Sequence, residues 1–387
     1  MSGKVLILAS VASMIDQFNI PNIKLLMEMG FTVEVACNFL SGNTCSDEKI
    51  KKLKTMLDEM GVKIYQIDFA RDAFKLSQNL RAYRQVLEIM RNNRYEFIHC
   101  HSPIGGLCGR LAGHKTKTKV IYTAHGFHFY KGAPLLNWLV YYPIERFLSR
   151  YTDVLITINK EDFARAKTFH AGKVEYVPGV GIDIDKIQAV TIDKTKKRKE
   201  LGIPDDAFLF ISVGELNRNK NHEIVIRALS MLDTNDNLYY IIAGTGSLKE
   251  HLQSLIKKSG LSSRIQLLGY RTDVIELLKI SDCFVFPSLR EGLPVALMEA
   301  ITCGLSVVCS SIRGNTDLVE DGTNGYLFQP LCMNSLLRCL NEAVTARDKH
   351  SEKSLDKVKL FKQDVVMSQM AEIYSDVLAK RHGEVSC

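Results

Sequence analysis

Twice along this chain, short runs of β-branched and apolar residues alternate with longer amphipathic stretches, and between the two series the rhythm breaks. Apolar residues at consecutive positions belong to strands buried on both faces, and strands separated by helix-length segments pair in parallel through helical crossovers. In the first series the expected strands are Lys4 to Ala9, Thr32 to Ala36, Lys63 to Ile67, Phe97 to Cys100, Lys119 to Thr123, Val154 to Ile158 and Val174 to Val177. Helices fall between them, including Ile20 to Met29 ended by Gly30 and Asp47 to Met60 ended by Gly61, because glycine takes the left-handed conformation that closes a helix. The second series predicts strands at Phe208 to Val213, Leu238 to Ala243, Ile265 to Leu268, Cys283 to Phe286 and Ser306 to Cys309, with helices such as Asn221 to Leu232 and Ser247 to Ser259. The class is α/β. Ligands of such open sheets bind outside the carboxyl ends of the strands, so two of these domains facing one another would make a cleft.

The break is the segment PGVGIDIDK from Pro178, followed by the charge run Lys194 to Glu200, which places a boundary near Pro178 to Asp185. A chain of 387 residues fits two cores rather than one. The domains expected are 1–180 and 181–365, with a terminal helix and tail over 366–387.

Charge is unevenly placed. The net +7 lies wholly in the first half, where residues 1–190 hold 25 Lys/Arg against 18 Asp/Glu, while residues 191–387 hold 25 of each. Such an excess suits anionic lipid, a phosphorylated substrate or nucleic acid, and equally an ordinary solvated surface. No apolar run reaches the length of a membrane span, and MSGKVLILASVASM reads as a buried first strand rather than a leader. The ten cysteines include no CxxC pair, which leaves a zinc or redox site unsupported and fits buried thiols in a reducing cytoplasm.

Chemistry concentrates after the strand Cys283 to Phe286, in PSLREGLPVALMEAITCG. Gly292 permits close backbone approach and Pro294 suits the first turn of a helix, whose unpaired amides and partial positive charge can hold a diphosphate. Glu291 precedes that helix and Glu299 lies inside it, so two carboxylates flank the phosphate position, each able to accept from a vicinal diol. An isolated pair at this spacing would be two solvated charges.

The longer context decides otherwise. Glu291 and Glu299, with seven residues between them inside PSLREGLPVALMEAITCGLSVVCSSIRGNTDLVEDGTNGYLF, resemble the signature of family-four retaining glycosyltransferases of the GT-B fold, two Rossmann-like βαβ domains with a C-terminal helix crossing back to the first. VGELNRNKNH resembles that family's donor-diphosphate loop after Gly214, with Leu293 and Pro294 completing the second loop. The resemblance implies that Lys220 neutralises the leaving diphosphate, that Glu291 takes the sugar hydroxyls and that Glu299 takes the ribose. Relatives commonly carry arginine after the glycine; Glu215 stands there, and Arg218 is the substitute. LLGYRTDV resembles the segment that reads the nucleotide base, at Gly269 and Tyr270, and TAHGFHFYKG resembles the first domain's site loop, with His125 reaching the donor site. His99, His101 and His128 have no comparable support. Ser10 to Asn19, taken as a loop after the first strand, belongs to the acceptor side. IYTAHGFHFYKGAPLLNWLVYYPIERFLSRYTDVLITINKEDFARA is similar to bacterial capsular and exopolysaccharide enzymes.

Two motifs carry less. Asp183-Ile184-Asp185 spells a metal-binding DxD but sits at the domain junction, away from the phosphate helix, and Gly244-Thr245-Gly246 lacks the third glycine of a dinucleotide fingerprint. The resemblance thus implies transfer of a hexosyl or N-acetylhexosaminyl unit from a UDP-linked sugar to an undecaprenyl-diphosphate-linked glycan, without metal, cofactor or nucleic acid. Pro134 to Arg150, rich in Leu135, Leu136, Trp138, Leu139, Tyr141, Tyr142 and Phe147 beside Arg146 and Arg150, is either a peripheral membrane contact or a core helix. An epimerase or hydrolase of the same fold, or a non-catalytic sugar-nucleotide-binding subunit, remains open.

Overall fold

The computed structural model describes residues 3–43, 45–70, 75–232, 237–346 and 357–379. Two compact units emerge, one of Met1–Gly181 with Asp364–Cys387 and one of Ile182–Gln363. In the first, seven strands, β1 (Lys4–Val11), β2 (Thr32–Asn38), β3 (Lys63–Gln66), β4 (Phe97–His101), β5 (Lys119–Ala124), β6 (Val154–Thr157) and β7 (Lys173–Tyr176), form a sheet ordered β3-β2-β1-β4-β5-β6-β7. All its pairings are parallel. β1 shows why its run is continuously apolar. Val5, Ile7 and Ala9 enter the core on one face, while Leu6 and Leu8 enter the core on the other, so successive side chains alternate between two apolar layers.

The second unit repeats the plan with β8 (Phe208–Val213), β9 (Leu238–Ala243), β10 (Ile265–Gly269), β11 (Cys283–Phe286), β12 (Ser306–Ser310) and β13 (Tyr326–Phe328), ordered β10-β9-β8-β11-β12-β13. In both sheets the order reverses beside the first strand, between β1 and β4 and between β8 and β11. Connections leave in opposite directions there and open a crevice at the carboxyl ends.

Several elements differ from the sequence expectation. β13, only three residues long, is too short to read from its apolar pattern. β1 runs on to Val11, and the segment expected as a loop contains the helix Ala12–Phe18, which buries Ala12, Ser13 and Ile15. Pro294 is the cap preceding the helix Val295–Thr302 rather than a residue of its first turn. Asp183 accepts from the Lys186 amide at 2.9 Å and caps the helix Ile184–Ala189, and Asp185 pairs with Lys362 at 2.7 Å, which gives both DxD carboxylates structural tasks.

The last helix, Gln363–Ala379, belongs to the first unit's core through Val366, Met370, Ile373, Tyr374 and Val377. Tyr374 stacks on Phe97 with ring centroids 5.4 Å apart, and its hydroxyl meets His99 Nδ1 at 2.9 Å. Replacing Tyr374 by alanine is expected to destabilise this unit by about 3 to 5 kcal/mol, against about 1 kcal/mol for phenylalanine, which loses only the hydrogen bond. Urea unfolding followed by fluorescence of Trp138, the single tryptophan and a residue of the same unit, reads the difference.

Candidate active site

In the second unit the loops after β8 and β11 meet. The Lys220 ammonium lies 2.7 Å from Glu291 Oε1 and over the Phe286 ring, 4.6 Å from its centroid. Both side chains are largely buried, so water screens the pair weakly. The surrounding backbone fixes it. The Leu289 amide donates to Asn219 O at 2.8 Å, Asn219 Nδ2 donates to Arg290 O at 3.0 Å, the Lys220 amide donates to Asn217 Oδ1 at 2.9 Å, and Arg313 Nε donates to Glu291 O at 3.0 Å.

Glycine makes the approach of these loops feasible. A Cβ on Gly244 would stand 1.9 Å from the Gly214 carbonyl oxygen, and one on Gly314, at φ +78°, would stand 2.3 Å from the Gly292 oxygen. The Gly244-Thr245-Gly246 spacing therefore serves backbone contact between neighbouring loops: a Cβ on Gly246 would lie 2.4 Å from Leu216 O.

Val295–Thr302 begins right after this junction, with Leu293 buried and its first amides free of intrahelical partners, as at any helix start. Glu299 lies on the second turn. It has no hydrogen-bond or ion-pair partner among the described residues, and burial pushes its carboxyl up from 4.5 to about 7. A desolvated carboxylate without donors is the arrangement into which ligand hydroxyls fit. Gly269 ends β10 in the left-handed conformation, and Tyr270 beyond it is 71% exposed. Arg218 is exposed in the turn before Lys220 and contacts neither Lys220 nor Glu291. His222, which sequence reasoning passed over, opens the helix His222–Met231. It is buried beside the Gly214 and Glu215 backbone, and burial followed by the Lys220 charge lowers its pKa to about 4, against those backbone contacts, which raise it.

In the first unit His125 follows β5. Its Nε2 lies 3.0 Å from His101 Nδ1 at the end of β4, and Phe18 packs on its ring with centroids 5.2 Å apart. Burial lowers the pKa of His125 to about 4 and that of His99 to about 3, and takes His101 in the same direction, so all three are neutral at pH 7. Strand periodicity sets His99 and His101 on one face of β4, and pairing brings His101 opposite Thr123, two residues before His125. Their partners lie on another strand, beyond what the spacing of histidines along the chain conveys.

Both halves of this layout recur in known proteins. The family model for glycosyltransferase family 4 matches residues 23–186, and that for glycosyl transferases group 1 matches residues 193–356. EpsD of Bacillus subtilis, named as a glycosyltransferase, is 35% identical over 336 residues, 85% of this chain and 84% of that protein. The chain belongs to glycosyltransferase family 4. A second relative of this family 4 enzyme, the Escherichia coli UDP-Gal:alpha-D-GlcNAc-diphosphoundecaprenol alpha-1,3-galactosyltransferase, is 30% identical over 68% of this chain and 70% of that protein. Among solved structures, Anabaena Alr3699/HepE in complex with UDP and glucose superposes with a TM-score of 0.77 at 20% identity, covering 97% of this chain and 100% of that one, a likeness of fold.

Glu299 yields a test that needs no substrate. Its carboxyl holds a proton more tightly folded than unfolded, so its contribution to stability is complete below pH 4.5 and is lost as pH rises toward 7. Glu299→Gln removes that loss. At pH 8 the variant is expected to exceed the parent in stability by on the order of 2 kcal/mol, and at pH 4 to match it. Denaturant titrations at the two pH values, followed by circular dichroism, check this; equal stability at pH 8 defeats it.

Proposed function

We propose that this glycosyltransferase moves a hexosyl or N-acetylhexosaminyl unit from a UDP-linked sugar to a diphosphoundecaprenol-linked glycan, with retention at the anomeric carbon, in assembly of a bacterial capsule or exopolysaccharide. The observation that carries the reading is the Lys220–Glu291 pair, with Glu291 just ahead of the helix Val295–Thr302 whose second turn carries Glu299, a carboxyl without a partner among the described residues. The Escherichia coli relative supports this choice of donor and acceptor classes, since it is named for transfer from UDP-Gal to alpha-D-GlcNAc-diphosphoundecaprenol.

On this reading the diphosphate rests against the first amides of Val295–Thr302, Glu299 accepts from the ribose, and Glu291 accepts from the sugar. As the glycosidic bond lengthens, negative charge grows on the diphosphate, and Lys220 and the helix dipole stabilise it in place of a divalent metal. The acceptor hydroxyl attacks on the face the diphosphate leaves and passes its proton to the departing diphosphate oxygen, so no side-chain nucleophile is needed. A hydrolase or epimerase would release free sugar or altered donor without acceptor. Nucleotide sugars incubated with lipid-linked acceptors, and products identified by mass, separate these outcomes.

Lys220→Ala is expected to lower turnover roughly a hundredfold, the loss of about 3 kcal/mol of contact to a charge that develops in the transition state. Steady-state kinetics at saturating donor measure it, and an unchanged turnover number removes Lys220 from the mechanism.

The reading includes a peripheral membrane contact. The helix Leu135–Leu148 divides its residues. Trp138, Tyr141 and Tyr142 pack inward around Phe129, Phe169 and His128, whereas Leu135, Leu136, Leu139, Ile144 and Phe147 are exposed. Its one acidic residue, Glu145, is buried against Arg110 at 2.8 Å, which leaves Arg146 as its exposed charge, with Arg150 just beyond. An apolar hollow of about 510 Å³ beside it is walled by Leu80, Leu107 and Ile144. No helix among the described residues is long and apolar enough to cross a membrane. Binding to anionic vesicles at low salt, released at high salt as screening shortens electrostatic reach, is the expected result in co-sedimentation. Failure to bind either anionic or neutral vesicles at low salt defeats the contact.

A further inference from the structure

His125 and His101 share a single hydrogen bond between two ring nitrogens, His125 Nε2 and His101 Nδ1, 3.0 Å apart. Both rings are neutral, so one proton lies between them and the tautomers are locked together. Two arrangements exist. In one, His101 donates from Nδ1, its Nε2 is a bare lone pair, and His125 carries its own proton on Nδ1. In the other, His125 donates from Nε2, its Nδ1 is bare, and His101 holds a proton on Nε2.

The surroundings of His101 choose between them. Its Nε2 is fully buried and has no partner among the described residues. The adjacent ring, His99, with centroids 4.1 Å away, is occupied at both nitrogens, by Tyr374 Oη at 2.9 Å and Thr123 Oγ1 at 2.8 Å, and accepts nothing more. The second arrangement would therefore strand an N–H donor in the interior, and orphaned buried donors are rarer in folded proteins than under-used acceptors. The first strands only a lone pair. On the other side of the pair, His125 Nδ1 has no partner among the described residues, and the residue is partly exposed. Phe18 on the ring and the His101 bond at Nε2 hold Nδ1 in one orientation.

We propose that His101 is a positioning residue that holds His125 as the Nδ1–H tautomer, so that His125 presents a neutral hydrogen-bond donor, rather than a base, to a sugar hydroxyl or phosphate oxygen of the substrate. The inference rests on the reading of His125 as a substrate-contacting group. It assigns no proton transfer to that residue: His125 orients and polarises, and proton removal from the acceptor hydroxyl belongs elsewhere.

The full-length protein, labelled with 15N at histidine, reports the tautomer directly from the long-range couplings of each ring, with His125 identified by its disappearance in His125→Ala. The parent is expected to show His125 protonated at Nδ1 and bare at Nε2. In His101→Phe, which keeps ring volume and removes the bond, His125 is expected to show a mixture of tautomers and turnover to fall about tenfold, the equivalent of one hydrogen bond. His101→Asn, whose side-chain amide can donate from near the position of Nδ1, is expected to restore the Nδ1–H form and most of the turnover. A parent spectrum with the proton on His125 Nε2 overturns the proposal, as does a His125 signal unchanged in His101→Phe. Full turnover in His125→Ala overturns the catalytic reading of His125 alone, and the spectrum then still decides the tautomer.

Discussion

Backbone meeting backbone without side chains between is the constraint on which the second unit's site depends. Gly244 against the Gly214 carbonyl and Gly314 against the Gly292 carbonyl bring four strand-end loops to contact distance in two pairs. Lys220 and Glu291 come from segments 71 residues apart and meet at 2.7 Å. That separation is closed where Asn219 Nδ2 donates to Arg290 O and the Leu289 amide donates to Asn219 O, while Asn217 Oδ1 accepts from the Lys220 amide and Arg313 Nε donates to Glu291 O, so the ammonium is positioned before any ligand arrives. Preorganised charge of this kind does not have to reorganise during reaction, which is where its advantage over water lies.

The same region holds its carboxylates in opposite conditions. Glu291 has a cation beside it, whereas Glu299 has burial and no donor, and burial raises its pKa to about 7. Keeping Glu299 in that state costs folding stability, and a site under selection for binding tolerates such a cost where a purely structural position would not. In the first unit the economy is different: three histidines are desolvated together and kept neutral, with their polarity spent on one another and on Thr123 and Tyr374.

Much of this was legible in the sequence, and for a definite reason. Strands buried on both faces leave unbroken apolar runs, so β1, β8 and β11 could be read to within a residue or two at each end. Gly30 and Gly61 marked helix ends because both adopt positive φ. The Glu291-to-Glu299 segment was legible as family likeness, since its chemistry is contiguous. What the sequence withheld were relations across strands. His101 gains its meaning from β5, and His222 from the loop after β8. The aromatic run from Leu135 to Leu148 mixes two faces: the buried Arg110–Glu145 pair ties one side of the helix to the helix Pro103–Thr116, a relation composition alone does not encode.

Tyr374 and its helix carry a consequence for how such enzymes diversify. The first unit is discontinuous: its core is completed by residues that follow the whole of the second. Exchange of one half between two related enzymes by a single crossover near Gly181 would join a sheet to a foreign closing helix, with Phe97, His99 and Lys119 facing side chains they did not evolve beside. Recombination that preserves the fit needs two crossovers, one at each end of Ile182–Gln363, so the second unit is the portable cassette and the first is the frame that receives it.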